Sequence, residues 1–128
     1  MKLFSDVLSK LASIEGLWIS QRLVYDSTGN VIGKIEIHYY SEHNVFINLL
    51  AIYPEYRNKG YFDQLISLIC RAADENKDII QLIPLPTETD KIPASGITVE
   101  KLQAIYSSYG FESDIEDARV STYTRVPA

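Results

Sequence analysis

Leu3, Phe4, Val7, Leu8, Leu11 and Ala12 recur at the spacing of one helical face, which predicts a helix over residues 3–13 that Gly16 stops. Leu17, Ile19, Leu23 and Tyr25 then alternate with more polar neighbours, as in a strand. Ser27-Thr28-Gly29-Asn30 reads as a turn. Beyond it, Val31, Ile35, Ile37 and Tyr39 alternate with Lys34, Glu36, His38 and Tyr40, giving a second strand with a polar face. Ser41-Glu42-His43-Asn44 turns into Val45–Tyr53, an almost unbroken apolar run that predicts a strand buried on both faces. These three strands predict an antiparallel meander.

Phe62, Leu65, Ile66, Leu68, Ile69, Ala72 and Ala73 form a wide apolar stripe, so Tyr61 to Asn76 reads as an amphipathic helix. Ile79–Ile83 is another short buried strand, reached by a strand–helix–strand connection long enough for parallel pairing. Pro84 and Pro86 end it, because proline cannot donate to a ladder. A long loop from Thr87 to Ile97 leads to a last helix, with Thr98 as its cap and Gly110 as its stop. Phe111-Glu112 and Val120–Thr124 complete the chain as strands. The predicted order is α-β-β-β-α-β-α-β-β. That is an α/β (α+β) fold with a mixed central sheet, in one domain over residues 1–128.

The chain has 128 residues and is 46% hydrophobic, enough for one core. No apolar run has membrane length, and Asp6 and Lys10 interrupt the first segment, which is therefore read as an amphipathic helix rather than a leader. A net charge of −5 argues against sequence-independent nucleic-acid binding. Cys70 is the only cysteine, so neither an internal disulfide nor a cysteine zinc site is expected; among Leu68, Ile69, Ala72 and Ala73 it reads as an inert buried thiol. A cytoplasmic protein with no metal and no membrane or nucleic-acid partner is expected. The acidic run Glu112–Asp117 reads as a solvated loop.

The informative stretch is Pro54-Glu55-Tyr56-Arg57-Asn58-Lys59-Gly60-Tyr61-Phe62, a basic loop between a strand and a helix start. Unpaired amides and the positive end of a helix dipole suit an anionic, phosphate-bearing ligand at such a place. Fifty residues beyond Gly60, Tyr106-Ser107-Ser108-Tyr109-Gly110-Phe111 ends a helix in glycine with a tyrosine four residues earlier. The two motifs in this order resemble the GCN5-related N-acetyltransferase (GNAT) superfamily over about residues 31–126, with its Arg/Gln-x-x-Gly-x-Gly/Ala loop and its Tyr-x-x-x-Gly-Phe ending.

The resemblance implies that acetyl-CoA is the cosubstrate, its pyrophosphate held by the amides of Arg57, Asn58, Lys59, Gly60, Tyr61 and Phe62. Its pantetheine arm would pair with the backbone of Leu50, Ala51 and Ile52, in a gap that Pro84 helps to open. Tyr106 takes the place of the acid that protonates the departing thiolate; a phenol, with an ordinary pKa near 10, suits that role. Phe62 departs from the small residue usual there. A single N-terminal helix stands where the family has a strand and two helices.

An amine acceptor must lose a proton before attack. Glu36 and His38 share the polar face of one strand, and carboxylate and imidazole are both side-chain types that serve as general bases. Asn48, mid-strand, is either a satisfied core amide or an acceptor-orienting group. The function implied is transfer of an acetyl group to a primary amine of a small molecule, a protein lysine or an N-terminus. The alternative is a non-catalytic module that binds coenzyme A or a protein. The family also suggests a homodimer through the C-terminal strands, at residues 120–126.

Overall fold

The computed structural model describes residues 3–85, 97–113 and 122–128. Helix α1 (Phe4–Ile14) is followed by β1 (Trp18–Ser20), β2 (Leu23–Tyr25), β3 (Val31–Ser41) and β4 (Asn44–Ile52). Then come α2 (Tyr61–Asn76), β5 (Ile79–Leu82), α3 (Val99–Ser108), β6 (Glu112–Ser113) and β7 (Tyr123–Arg125). The strands form one seven-stranded sheet in the order β1-β2-β3-β4-β5-β7-β6. Among the described residues only β4 and β5 pair in parallel, as the strand–helix–strand connection predicts; the other pairs are antiparallel.

The segment expected as the first strand is a hairpin of two. Gln21 and Arg22 form its turn, both with positive φ (52° and 72°). Two left-handed residues between paired strands match the right-handed twist of a hairpin, a role usually filled by Asn-Gly. Without those residue types, the turn is silent in the sequence. The meander therefore has four strands.

The structure also corrects the reading of β4. Its burial alternates up to Asn48, which is exposed, and becomes continuous only over Leu50–Ile52. The cause is a bulge: Glu36 pairs with Leu49 and Ile37 with Ile47, so Asn48 is an extra residue on β4. Asn48 is thus not a core amide; its Nδ2 donates to Glu36 Oε2 at 3.4 Å on the open surface. Gly33 fits β3 closely against β4, since a β-carbon there would stand 2.2 Å from the Ala51 carbonyl oxygen.

Helix α2 lies between two neighbours. Gln64 and Arg71, two turns apart on one flank, meet Glu15 at the end of α1. Asp63, Cys70 and Asp74, on the adjoining flank, meet Tyr109 and Arg125. Its inward stripe, from Leu65 to Ala73, packs in one core with Phe4, Val7 and Leu8 of α1 and with Val24, Ile32, Ile35, Ile47 and Ile80 of the sheet. Cys70 is buried there, and burial pushes its thiol up, as expected of an inert group. The rest of the predicted order holds. The loop at residues 86–96, the acidic residues 114–117 and residues 120–121 of the C-terminal strand lie outside the described residues. No helix among the described residues is long and apolar enough to cross a membrane.

Candidate active site

Strand β4 outlasts its parallel partner. Pairing with β5 runs from Asn44↔Ile79 to Ile47↔Leu82, and Pro84 follows. From the bulge at Asn48 onward, the β5 side of β4 has no partner strand among the described residues. The register fixes which backbone groups face that gap. Tyr53 N donates to Ile32 O at 2.8 Å, so the hydrogen-bonded pairs with β3 are Ile32–Tyr53, Lys34–Ala51 and Glu36–Leu49. Leu50 and Ile52 therefore turn their N–H and C=O toward the gap, whereas Ala51 turns its own toward β3. Of the three residues expected to pair with an extended arm, Ala51 is corrected to a ladder residue, its side chain lining the cleft. The Ile52 carbonyl accepts from Arg57 Nε at 3.0 Å.

The gap opens into a cleft of about 480 Å³. Leu50, Ala51 and Ile52 form one wall, Arg57, Asn58, Gly60, Tyr61, Phe62 and Asp63 the second, and Leu85, Ile97, Thr98, Lys101, Leu102 and Tyr106 the third. A short 3-10 turn, Pro54–Tyr56, carries the chain from β4 into the basic loop. Asn58 and Gly60 are left-handed (φ 63° and 84°) with Lys59 between them. Such alternation curls successive amides toward one point. The first intrahelical bond of α2 is from Gln64 N to Gly60 O, 3.0 Å, so the N–H groups of Tyr61, Phe62 and Asp63 face the cleft end of the helix without helical acceptors. A β-carbon on Gly60 would meet nothing within 4 Å; glycine is there for its backbone hand. Lys59 is the exception in the expected set. Its Nζ sits 5.7 Å from the Tyr56 ring centroid, and it does not line the cleft.

Tyr106 lines the cleft and is 5% exposed. Its ring stands edge-on to Phe62, with centroids 6.1 Å apart, and to Phe111 at 5.5 Å. Burial pushes its phenol above the ordinary tyrosine value, so it is a protonated donor throughout the neutral range. Tyr109, the other tyrosine of the motif, does not line the cleft and donates its hydroxyl toward Asp63 at 3.3 Å.

Glu36, His38 and Asn48 line a separate depression along β3, with α1 and the Gln21–Arg22 turn as its rim. Glu36 also accepts from Arg22 at 3.3 Å. The structure thus gathers the two expected proton acceptors, Glu36 and His38, with the expected orienting amide Asn48, but not with Tyr106. His43 lies in the β3–β4 turn, at the far end of β4 from the cleft, with Nδ1 2.9 Å from the buried Asp78. The sequence reading missed Thr98, Lys101, Leu102 and Leu85. Thr98 caps α3 by accepting from Lys101 N at 3.1 Å, so a second helix start borders the cleft. A cap residue after a proline-bearing loop was visible; its place beside the first loop depends on the chain between them. Among the described residues, no group of His, Cys, Asp and Glu has the arrangement of a metal site.

The family model described as the acetyltransferase (GNAT) family matches residues 5–95. The chain belongs to that family. Among solved structures, Ard1 from Thermoplasma volcanium is similar at 19% identity and a TM-score of 0.56, over 94% of this chain and 76% of that one. A GNAT family acetyltransferase from Elizabethkingia anophelis, solved with acetyl-CoA bound, gives 14% identity and a TM-score of 0.58 over 81% and 73% of the two chains. The anti-CRISPR protein AcrVA5 is 26% identical with a TM-score of 0.52, over 71% of this chain and 88% of its own. No curated relative matches the chain in sequence. The fold, a mixed sheet with a GNAT arrangement of helices, and membership of an acetyltransferase family are thereby settled.

Proposed function

We propose that this protein transfers an acetyl group from acetyl-CoA to a primary amine, on a protein or a small molecule, by direct attack on the thioester. The observation that carries the reading is the separation of β4 from β5 at the Asn48 bulge, which turns the polar backbone of Leu50 into a cleft closed by the Arg57–Phe62 loop and by Tyr106. A diphosphate at the start of α2 would meet several N–H groups and the helix dipole. An extended arm could pair with Leu50 as an added strand does. Tyr106 is the acid for the departing thiolate. Glu36 and His38 are the candidates to accept the amine proton, directly or through water, and Asn48 is the orienting amide. A related family member was solved with acetyl-CoA bound, which supports the same ligand here.

Calorimetric titration with acetyl-CoA, with ATP as control, tests the seat. Micromolar binding that Gly60→Trp abolishes supports the reading; absence of binding at millimolar ligand overturns it. A second reading, a non-catalytic module, is favoured by one observation: Phe62 packs against the buried Tyr106 where a small residue would leave the phenol open. Binding without acetyl transfer to any amine in a screen of amines and lysine-containing peptides would select it.

A further inference from the structure

Strand β3 has a free edge. Its pairing with β2 spans only Val31 to Lys34, and the turn at Gln21–Arg22 ends the coverage, with Ile35 N donating to Arg22 O at 2.9 Å. Past that point β3 continues to Ser41, and among the described residues no strand pairs with its outer side. The alternation set by Ile35, with His38 paired to Phe46 on the inner side, turns the N–H and C=O of Ile37 and Tyr39 outward. Open edges of this kind are templates for another strand, and proteins usually blunt or cover them.

The surroundings of this edge are specific. It borders a depression of about 610 Å³ that continues around both faces of β3. On one face stand Ile19, Ile35 and Ile37 beside the α1 residues Ser5, Asp6 and Ser9. Tyr39 belongs to this face, since its hydroxyl accepts from Ser5 N at 3.0 Å. On the other face stand Glu36, His38 and Asn48. Glu36 is bridged only at the surface, by an Arg22 side chain that is 75% exposed and so easily exchanged for an incoming cation.

We propose that the outer edge of β3, from Glu36 to Tyr40, docks an extended segment of a protein partner as an additional antiparallel or parallel strand, with apolar and basic residues alternating along it. Main-chain bonds to Ile37 and Tyr39 supply the affinity. Successive side chains of a strand point to opposite faces, so apolar ones meet Ile19 and Ile37 while the basic ones between them meet Glu36 and His38. Strands in a sheet lie about 4.8 Å apart, which puts the added strand roughly 12 Å from the gap beside β4. A lysine on the docked strand does not span that distance. The segment is an anchoring site, and the reacting amine comes from a neighbouring part of the same partner. That the docked protein is the acetyl acceptor rests on the acetyl-transfer reading; the docking itself does not.

The test is binding of a short synthetic peptide alternating lysine and valine, followed by fluorescence anisotropy with the full chain. Controls are the same residues in two blocks and the alternating peptide N-methylated on every second amide. Ile37→Pro removes one outward N–H without touching the β3–β4 ladder, as proline is tolerated on an edge. Circular dichroism and thermal denaturation monitor its fold, and Glu36→Lys is a second variant. The alternating peptide is expected to bind in a saturable way. Ile37→Pro, Glu36→Lys and N-methylation in one of the two registers should each weaken it about tenfold, the scale of one or two hydrogen bonds. No saturable binding, equal binding of the block peptide, or insensitivity to all three changes overturns the proposal. A dimer in light scattering that Ile37→Pro dissolves also overturns it, by giving the edge to a second copy of the chain. Failure of acetyl-CoA binding would leave these readouts unaffected, so the two readings fail separately.

Discussion

The ring of Tyr106 stands edge-on to Phe62, 6.1 Å between centroids, and both residues line the cleft beside the loop that begins α2. The contact joins the start of α2 to the last turn of α3. Aromatic pairs in this geometry add about 0.5–1.5 kcal/mol to their burial. The bulky Phe62 therefore fixes the phenol's orientation from the side that carries the loop, and Phe111 fixes it from another.

Replacing Tyr106 with phenylalanine leaves that packing in place and removes only the hydroxyl. If the phenol protonates the leaving thiolate, kcat falls by about tenfold to ten-thousandfold while the affinity for acetyl-CoA is unchanged. The wild-type rate should show no loss from Tyr106 ionisation up to about pH 10, because burial raises its pKa above the ordinary value. Equal pH–rate profiles and equal kcat for the two proteins would remove Tyr106 from the chemistry.

Lys101, in the first turn of α3, brings a cation to the wall of the cleft that α3 supplies. It is exposed, so its effect on an anionic ligand is modest and screened by salt. Lys101→Glu is expected to weaken coenzyme A binding about three- to tenfold at low ionic strength, with the difference shrinking as salt is added. A loss independent of salt would point to a contact other than charge.

Gly33→Ala tests how closely β3 must approach β4. The added carbon would stand 2.2 Å from the Ala51 carbonyl oxygen, a backbone atom that cannot swing aside. The strands must separate, at a cost of about 1–3 kcal/mol. Because Ala51 lies between Leu50 and Ile52, the shift should also weaken acetyl-CoA binding. Chemical denaturation and calorimetry on the same variant check both effects; a change in neither would mean the sheet accommodates the methyl group.

Much of this was legible because local chemistry and local geometry agreed. Tyr61 to Asn76 has the apolar stripe of a helix and is one. Arg57 to Gly60 has the composition of an anion-binding turn and adopts left-handed residues where Asn58 and Gly60 stand. What stayed hidden depends on partners distant in sequence. The hairpin turn at Gln21–Arg22 uses residues that do not advertise positive φ, so its two strands read as one. The Asn48 bulge arises from register between β3 and β4, which no property of Asn48 encodes. Lys101 and Thr98 become cleft residues only when α3 is laid beside the first loop.

Arg125 ties the last strand to α2, with two hydrogen bonds to the Asp74 carboxylate at 2.8 and 3.1 Å and a third from Nε to Tyr109 O at 2.9 Å. The guanidinium side chain is only 12% exposed, so an unpaired charge there would be costly. The Arg125 hydrogen bond, more than any other influence, holds the Asp74 carboxyl below its ordinary range. A carboxylate of this kind stabilises the fold fully above its unfolded pKa, near 3.9, and progressively less as pH falls through the folded value. Asp74 itself is partly exposed, which limits the effect, so Asp74→Asn should cost about 1–3 kcal/mol at neutral pH. The difference from wild type should begin to narrow below about pH 4 and vanish only once pH has fallen through the lowered folded value, where both proteins carry a neutral group at that position. Denaturation curves at pH 7 and pH 3 decide it. A gap that persists undiminished at pH 3 would show that shape, rather than charge, holds the C-terminal strand against α2.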